Sequence, residues 1–175
     1  MIKFLRSKCP VLFVSGMVLL WSASSYAQTD ESRVKALWVH TLISYIKWDS
    51  EHEKQDKTIC TRGLDRTYHF LKEIQAEKKT SYNFIETGSN SDLNQCNLLY
   101  IAASERNNLS SILNNAESKN IVTVSDLKGF AEDGGIIELS HKDGTVKIKV
   151  NVKAAKKAKV IINSDLLAVS TIIDK

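Results

Sequence analysis

The stretch L-L-Y-I-A-A-S-E-R-N-N-L-S-S-I-L-N-N-A-E-S-K-N-I-V-T-V, from Leu98 to Val124, decides the fold. Leu98 to Ala102 is apolar without alternation, which is the pattern of a strand covered on both faces. Ser104 is a suitable cap for a helix carrying Leu109, Ile112 and Leu113, and Ile121 to Val124 supplies a second buried strand. Strand, helix, strand in this order predicts a parallel βαβ unit.

The same alternation extends toward the N-terminus. Tyr82 to Ile85 reads as a strand followed by a polar loop from Gly88 to Asn94, and Thr58 to Cys60 as another. Gly63 then lets the chain turn into a helix with Leu64, Tyr68, Leu71 and Ile74. Glu51 to Lys57 is charged and aperiodic, hence a surface loop. Before it, Val34, Leu37, Trp38, Thr41, Leu42, Tyr45, Ile46 and Trp48 recur at steps of three and four, which predicts one stripe of an amphipathic helix from Arg33 to Trp48.

Toward the C-terminus the pattern changes. Gly134-Gly135 opens a strand from Ile136 to Leu139, and the turn His141-Lys142-Asp143-Gly144 leads into Val146, Ile148 and Val150. Those three alternate with polar residues, as in an antiparallel strand with one wet face. A short helix at Val152 to Lys157 and an apolar segment from Ile161 to Ile173 follow. The expectation is a single α/β domain with a mixed, largely parallel sheet flanked by helices and a C-terminal antiparallel hairpin.

The first residues have the form of an export signal. Lys3, Arg6 and Lys8 precede an apolar run from Val11 to Trp21, and Ser25 and Ala27 are the small residues a signal peptidase accepts before Gln28. The run is too short to cross a bilayer, which takes about 20 apolar residues. The expected division is a leader at 1–27 and a domain at 28–175. Without Lys3, Arg6 and Lys8 the 24 basic residues fall to 21 against 20 acidic, so charge gives no support for nucleic-acid binding. Of the three cysteines Cys9 leaves with the leader. Cys60 and Cys96 remain, an even pair expected to bridge in an oxidising compartment, the alternative being two buried thiols that never meet.

A search for chemistry finds no assembled set. Ser104, His141 and Asp126 are a hydrolase triad by type alone, since Ser104 sits in A-A-S-E-R and not in a G-x-S-x-G elbow. His40 and His69 fall in predicted helices and His52 and His141 in loops, without metal-ligand spacing. Gly134-Gly135 lacks a P-loop lysine and reads as a tight turn. Lys153, Lys156, Lys157 and Lys159 form a modest basic patch that a solvated helix face explains. No catalytic residue, metal or cofactor is therefore expected.

Several stretches together resemble the YfiR family of periplasmic proteins. They are V-K-A-L-W-V-H-T-L-I-S-Y-I-K-W from Val34, C-T-R-G from Cys60, L-L-Y-I-A-A-S-E-R from Leu98, T-V-S-D-L-K-G-F-A-E-D-G-G-I-I from Thr123, N-V-K-A-A-K-K-A from Asn151 and N-S-D-L-L from Asn163. The resemblance implies an α/β fold, a Cys60–Cys96 disulfide and no enzymatic activity. It further implies binding to the periplasmic domain of an inner-membrane diguanylate cyclase, which is held inactive, and sequestration of the repressor by a peptidoglycan-binding outer-membrane lipoprotein. The outcome of repression would be lower cyclic di-GMP and less biofilm.

The chain departs from some relatives in lacking a second cysteine pair, and in having Asp49 after Trp48 where proline is common. The rival reading is a periplasmic small-molecule sensor. The sequence does not fix the oligomeric state, and a homodimer is one form it admits. As partner contacts the sequence nominates Glu105, Arg106, Asp126, Lys128 and Phe130, because they follow the ends of predicted parallel strands, where binding loops gather.

Exported protein should begin at Gln28 and titrate with no free thiol. Intact mass and thiol titration of periplasmic material check this, and two reactive thiols without denaturant would refute the bridge.

Overall fold

Leu98–Ile101 is buried along its whole length and lies at the heart of a seven-stranded sheet. The computed structural model describes residues 23–48, 56–77, 82–88, 90–142 and 144–175. The predicted leader up to Ser22, Asp143 of the predicted turn, and His52 with most of the charged loop before Lys57 lie outside the described residues.

In chain order the elements are α1 (Ala23–Leu42), β1 (Ile46–Lys47), β2 (Lys57–Arg62), α2 (Arg66–Glu77), β3 (Tyr82–Thr87), β4 (Leu98–Ile101) and α3 (Leu109–Ser118). There follow β5 (Val122–Ser125), β6 (Ile137–Lys142), β7 (Thr145–Asn151), α4 (Val152–Lys157), β8 (Ile161–Ile162), α5 (Ser164–Ala168) and β9 (Thr171–Ile173). The large sheet has the order β3-β2-β4-β5-β6-β7-β9. β3, β2, β4, β5 and β6 run parallel, β6 and β7 form the antiparallel hairpin, and β9 returns parallel to β7. The α/β class, the largely parallel sheet and the hairpin all match the reading of the sequence.

Alternation along the strands divides the core into two layers. Ile59, Leu98, Tyr100, Val122 and Val124 join Ala36, Val39, Leu71 and Ile74 of α1 and α2 in one apolar cluster. Cys60, Leu99 and Ile101 join Leu109, Ile112 and Ala116 of α3 in the other. A sheet wrapped on both faces accounts for strands without a polar face.

The first helix corrects the sequence in two ways. It ends at Leu42, and Ile46–Lys47 leaves the predicted helix to pair antiparallel with Ile161–Ile162, a partner far along the chain. Its buried face carries Lys35, Ala36, Val39 and Leu42, whereas Leu37 is 38% exposed and Thr41 is exposed. Small side chains at Ala36 and Val39 bring the helix close to the sheet, and the bulkier stripe of Val34, Leu37, Trp38, Thr41 and Tyr45 is left lining a shallow groove.

Other corrections are local. Ser104 caps nothing, because a 3-10 helix over Ala103–Asn108 comes first and neither it nor α3 has a side-chain cap. Asn90–Gln95 is a 3-10 turn within the predicted loop, Leu64 precedes α2 and is exposed, and His141 belongs to β6. The glycine pair does more than turn. Gly134 takes φ +100°, and a Cβ on Gly135 would come within 2.1 Å of the Phe130 ring.

Cys60 in β2 and Cys96 just before β4 are joined by a disulfide, with Cα atoms 5.6 Å apart and a sequence separation of 36. Both are buried in the α3 layer. The Cys60→Ser, Cys96→Ser variant should lose about 4 kcal/mol of stability in the chain-entropy account. Urea unfolding measures it, and an unchanged midpoint would contradict the expectation.

Candidate functional site

In an open sheet of this kind ligands and partners meet the crevice outside the carboxyl ends of the strands, at the point where strand order reverses. Here the reversal lies between β2 and β4, since the chain goes from β2 out to β3 and returns to β4 on the other side. Arg62 and Gly63 end β2, and Ala102 to Arg106 follow β4. Gly63, at φ +78°, is packed so closely that a Cβ would stand 2.5 Å from Ser104 Oγ. Arg62 Nε lies 3.7 Å from Glu105 Oε2, and Asn108 Nδ2 donates to that same oxygen at 3.2 Å. Arg62 Nη1 is buried with no hydrogen-bond partner.

Asp65 sits beside them as the N-terminal cap of α2. Its Oδ1 accepts from the Tyr68 backbone N–H at 2.8 Å, and its Oδ2 accepts from the Tyr100 hydroxyl at 2.8 Å. Burial raises the Asp65 pKa above the ordinary carboxylate value, outweighing the two bonds that favour its charge. Burial, with the nearby charges of Asp126 and Asp65, likewise holds the Tyr100 hydroxyl well above the usual tyrosine range.

One strand further, Asp126 follows β5 and accepts from Lys35 Nζ through Oδ2 at 2.9 Å. Lys35 also pairs with Glu31 Oε1 at 2.6 Å, and Glu31 Oε2 stands 3.6 Å from His141 Nδ1. The chain of contacts ties α1 to the ends of β5 and β6. Burial opposes the charge on Lys35, yet the hydrogen bonds from its ammonium to Glu31 and Asp126 prevail, and its pKa stands above the ordinary lysine value. Asp126 Oδ1 is buried and unpartnered.

Of the nominated contacts, Arg106 and Lys128 are exposed, while Glu105 and Asp126 are half-buried behind them. All four stand at the carboxyl end of β4 or β5. Phe130 is corrected, because it is 0% exposed and fills the α3 layer against Gly135. Burying a phenyl ring is favourable enough that a surface position would waste it. Ser104, His141 and Asp126 are not assembled either, since among the described residues no hydrogen bond joins any two of them. The sequence missed Lys35, Arg62, Asp65 and Tyr100 as members of this cluster. Only Asp65, three residues before Tyr68 at a helix start, carried a local cue.

Among the described residues no group of three or more His, Cys, Asp or Glu side chains is placed to hold a metal. No helix among them is long and apolar enough to cross a membrane.

A family model described as YfiR/HmsC-like matches residues 32–171. The chain belongs to the YfiR/HmsC-like family. Every element from the body of α1 to the start of β9 lies inside the matched range, the disulfide, Lys35 and Arg62 included. Comparison with curated proteins gives no match. Two solved structures share the fold of this YfiR/HmsC-like chain. One is a conserved domain protein from Vibrio cholerae O1 biovar eltor, with TM-score 0.60 and 10% identity, covering 82% of this chain and 60% of that one. The other is the ABC domain in complex with L-Trp from Streptococcus pneumonia, with TM-score 0.55 and 11% identity over the same shares. At such identities they establish fold alone, and the chain spans about 60% of the length of either structure.

Lys35→Met should cost about 3 kcal/mol, the lower part of the range for breaking a buried pair, because Asp126 keeps its charge without its partner while Glu31 is partly hydrated. The folded pKa of Lys35 lies above its unfolded value. The stability it supplies is therefore complete below about 10.5 and is lost as pH rises from there through the folded value. Urea unfolding across alkaline pH should show this fall in the wild type and a flatter profile in Lys35→Met.

Proposed function

We propose that this protein is a periplasmic, non-catalytic regulator that binds the periplasmic domain of an inner-membrane diguanylate cyclase and holds it inactive, lowering cyclic di-GMP and biofilm formation. The match to the YfiR/HmsC-like family over residues 32–171 carries the reading, since that family is one of periplasmic regulators in cyclic di-GMP signalling. A peptidoglycan-binding outer-membrane lipoprotein would relieve the repression by sequestering the regulator. The export signal at 1–27 belongs to the same proposal.

The contact surface proposed is the carboxyl end of β4 and β5. Arg106 and Lys128 are its exposed charges, and Glu105 and Asp126 hold the framework behind them through Arg62 and Lys35. Charged rims of this kind set orientation and discriminate partners more than they add affinity. The energy needed is modest, since about 5.5 kcal/mol of differential binding moves a two-state partner from nearly all active to nearly all inactive.

Small-molecule sensing is favoured by a different observation, a polar cavity of about 390 Å³ at the opposite end of the sheet. It is compatible with a partner role, because the two ends do not overlap.

Deleting the gene in a strain that expresses a cognate cyclase should raise cyclic di-GMP. Reversing the charges of Arg106 and Lys128, the exposed pair, should do the same while the variant still folds and accumulates. Nucleotide quantification and circular dichroism measure both, and unchanged cyclic di-GMP on deletion would overturn repression in favour of sensing.

A further inference from the structure

Leu64 stands in solvent beside the strand-order reversal, between the end of β2 and the start of α2, and is 58% exposed. A single exposed leucine needs no explanation by itself. What sets this one apart is how its backbone is held.

On one side Gly63 takes φ +78°, and a Cβ there would meet Ser104 Oγ at 2.5 Å and Ala102 Cβ at 3.1 Å, so the backbone is pressed against the chain leaving β4. Ala102 N–H donates to Arg62 O at 2.9 Å across the same junction. On the other side Asp65 is tied twice, to the Tyr68 backbone N–H and to the Tyr100 hydroxyl, each at 2.8 Å. Leu64 is thus one residue carried between two fixed neighbours. An apolar group presented on a fixed backbone gives up little freedom when a partner covers it.

The helix that follows does not use this side chain. A residue just before an N-cap commonly packs on the fourth residue of the helix as an apolar staple. With Asp65 as the cap that position is His69, and the staple is not closed, since Leu64 and His69 both remain exposed.

The exposed charges on the adjoining loops have one sign. Arg66 opens α2 and Arg106 follows β4, and Lys128 is exposed at the end of β5, the next strand. The carboxylates nearby are engaged within the fold, Asp65 by its two hydrogen bonds, Glu105 by Arg62 and Asn108, and Asp126 by Lys35. Asp133 is exposed too, but it belongs to the turn after β5 that Gly129 opens.

On the reading that this chain represses a cyclase through the carboxyl end of its sheet, we infer that Leu64 is the apolar anchor of that contact. The cyclase meets it with an apolar socket rimmed by carboxylates. Leu64 supplies the desolvated centre, and Arg66, Arg106 and Lys128 supply the rim, which is how protein interfaces divide apolar and charged groups.

Binding of the purified protein to its full-length cognate cyclase, held in phosphatidylcholine nanodiscs and followed by biolayer interferometry, tests the assignment. Leu64→Ala should weaken binding about tenfold, chiefly through faster dissociation, while circular dichroism and melting temperature stay as in the wild type. Leu64→Met keeps the apolar bulk and should keep most of the affinity. Leu64→Asp should abolish binding by placing a carboxylate among carboxylates. Raising salt from about 50 to about 300 mM should slow association. The anchor is overturned, and repression stands, if the wild type binds and folded Leu64→Ala or Leu64→Asp binds equally well. It is overturned as well if association does not respond to salt, or if Leu64 instead carries binding to phosphatidylglycerol vesicles that lack the cyclase. A wild type that does not bind the cyclase at all overturns repression and the anchor with it.

Discussion

The organisation of this molecule depends on one constraint: β2, β4 and β5 are covered on both faces, so ion pairs at these strands form at their ends. Helices α1 and α2 close one side and α3 the other. What charge the chain keeps near its centre must therefore gather where the strands stop. At the carboxyl end it does so as linked pairs, Lys35 with Glu31 and Asp126, and Arg62 with Glu105. At the amino end it does so as amides, ammonium groups and one indole around a cavity.

The carboxyl-end cluster has a double character. Lys35 and Asp126 anchor α1, a structural duty, yet Asp126 Oδ1 and Arg62 Nη1 remain buried without partners. Most buried polar groups in proteins are hydrogen-bonded, so these two atoms stand out. The arrangement combines a fixed frame with unspent hydrogen-bonding capacity at the strand-order reversal. The proposed partner surface lies over this frame, with Arg106 and Lys128 exposed beside it.

The fold was legible because its strongest signals were local. Leu98 to Ala102 could hardly be anything but an enclosed strand, and Val146, Ile148 and Val150 announced a half-wet one. The hairpin and the Val152–Lys157 helix followed from the same periodicities. Two features were hidden because distant residues decided them. Ile46 continued a helical stripe until pairing with Ile162 drew it into a strand, and bulk pointed to Leu37 and Trp38 as the inner face of α1 where close approach required Ala36 and Val39. The candidate site was half legible. The strand ends could be located, so Glu105, Arg106, Asp126 and Lys128 were read just beyond the carboxyl ends of β4 and β5, where they lie, but Lys35 looked like one more helix lysine and Phe130 like a loop aromatic. Which charges meet depends on strand order, and strand order is not written in any single segment.

The covalent link between Cys60 and Cys96 encloses a part of the molecule. The span between them holds all of α2 and β3, so the bond turns the outermost strand of the sheet and its helix into a closed ring hung on β2 and β4. A single peptide-bond cut by a protease anywhere within that ring would leave one covalently connected molecule. Neither fragment could leave without the other, so this edge of the sheet is the part least able to be carried away.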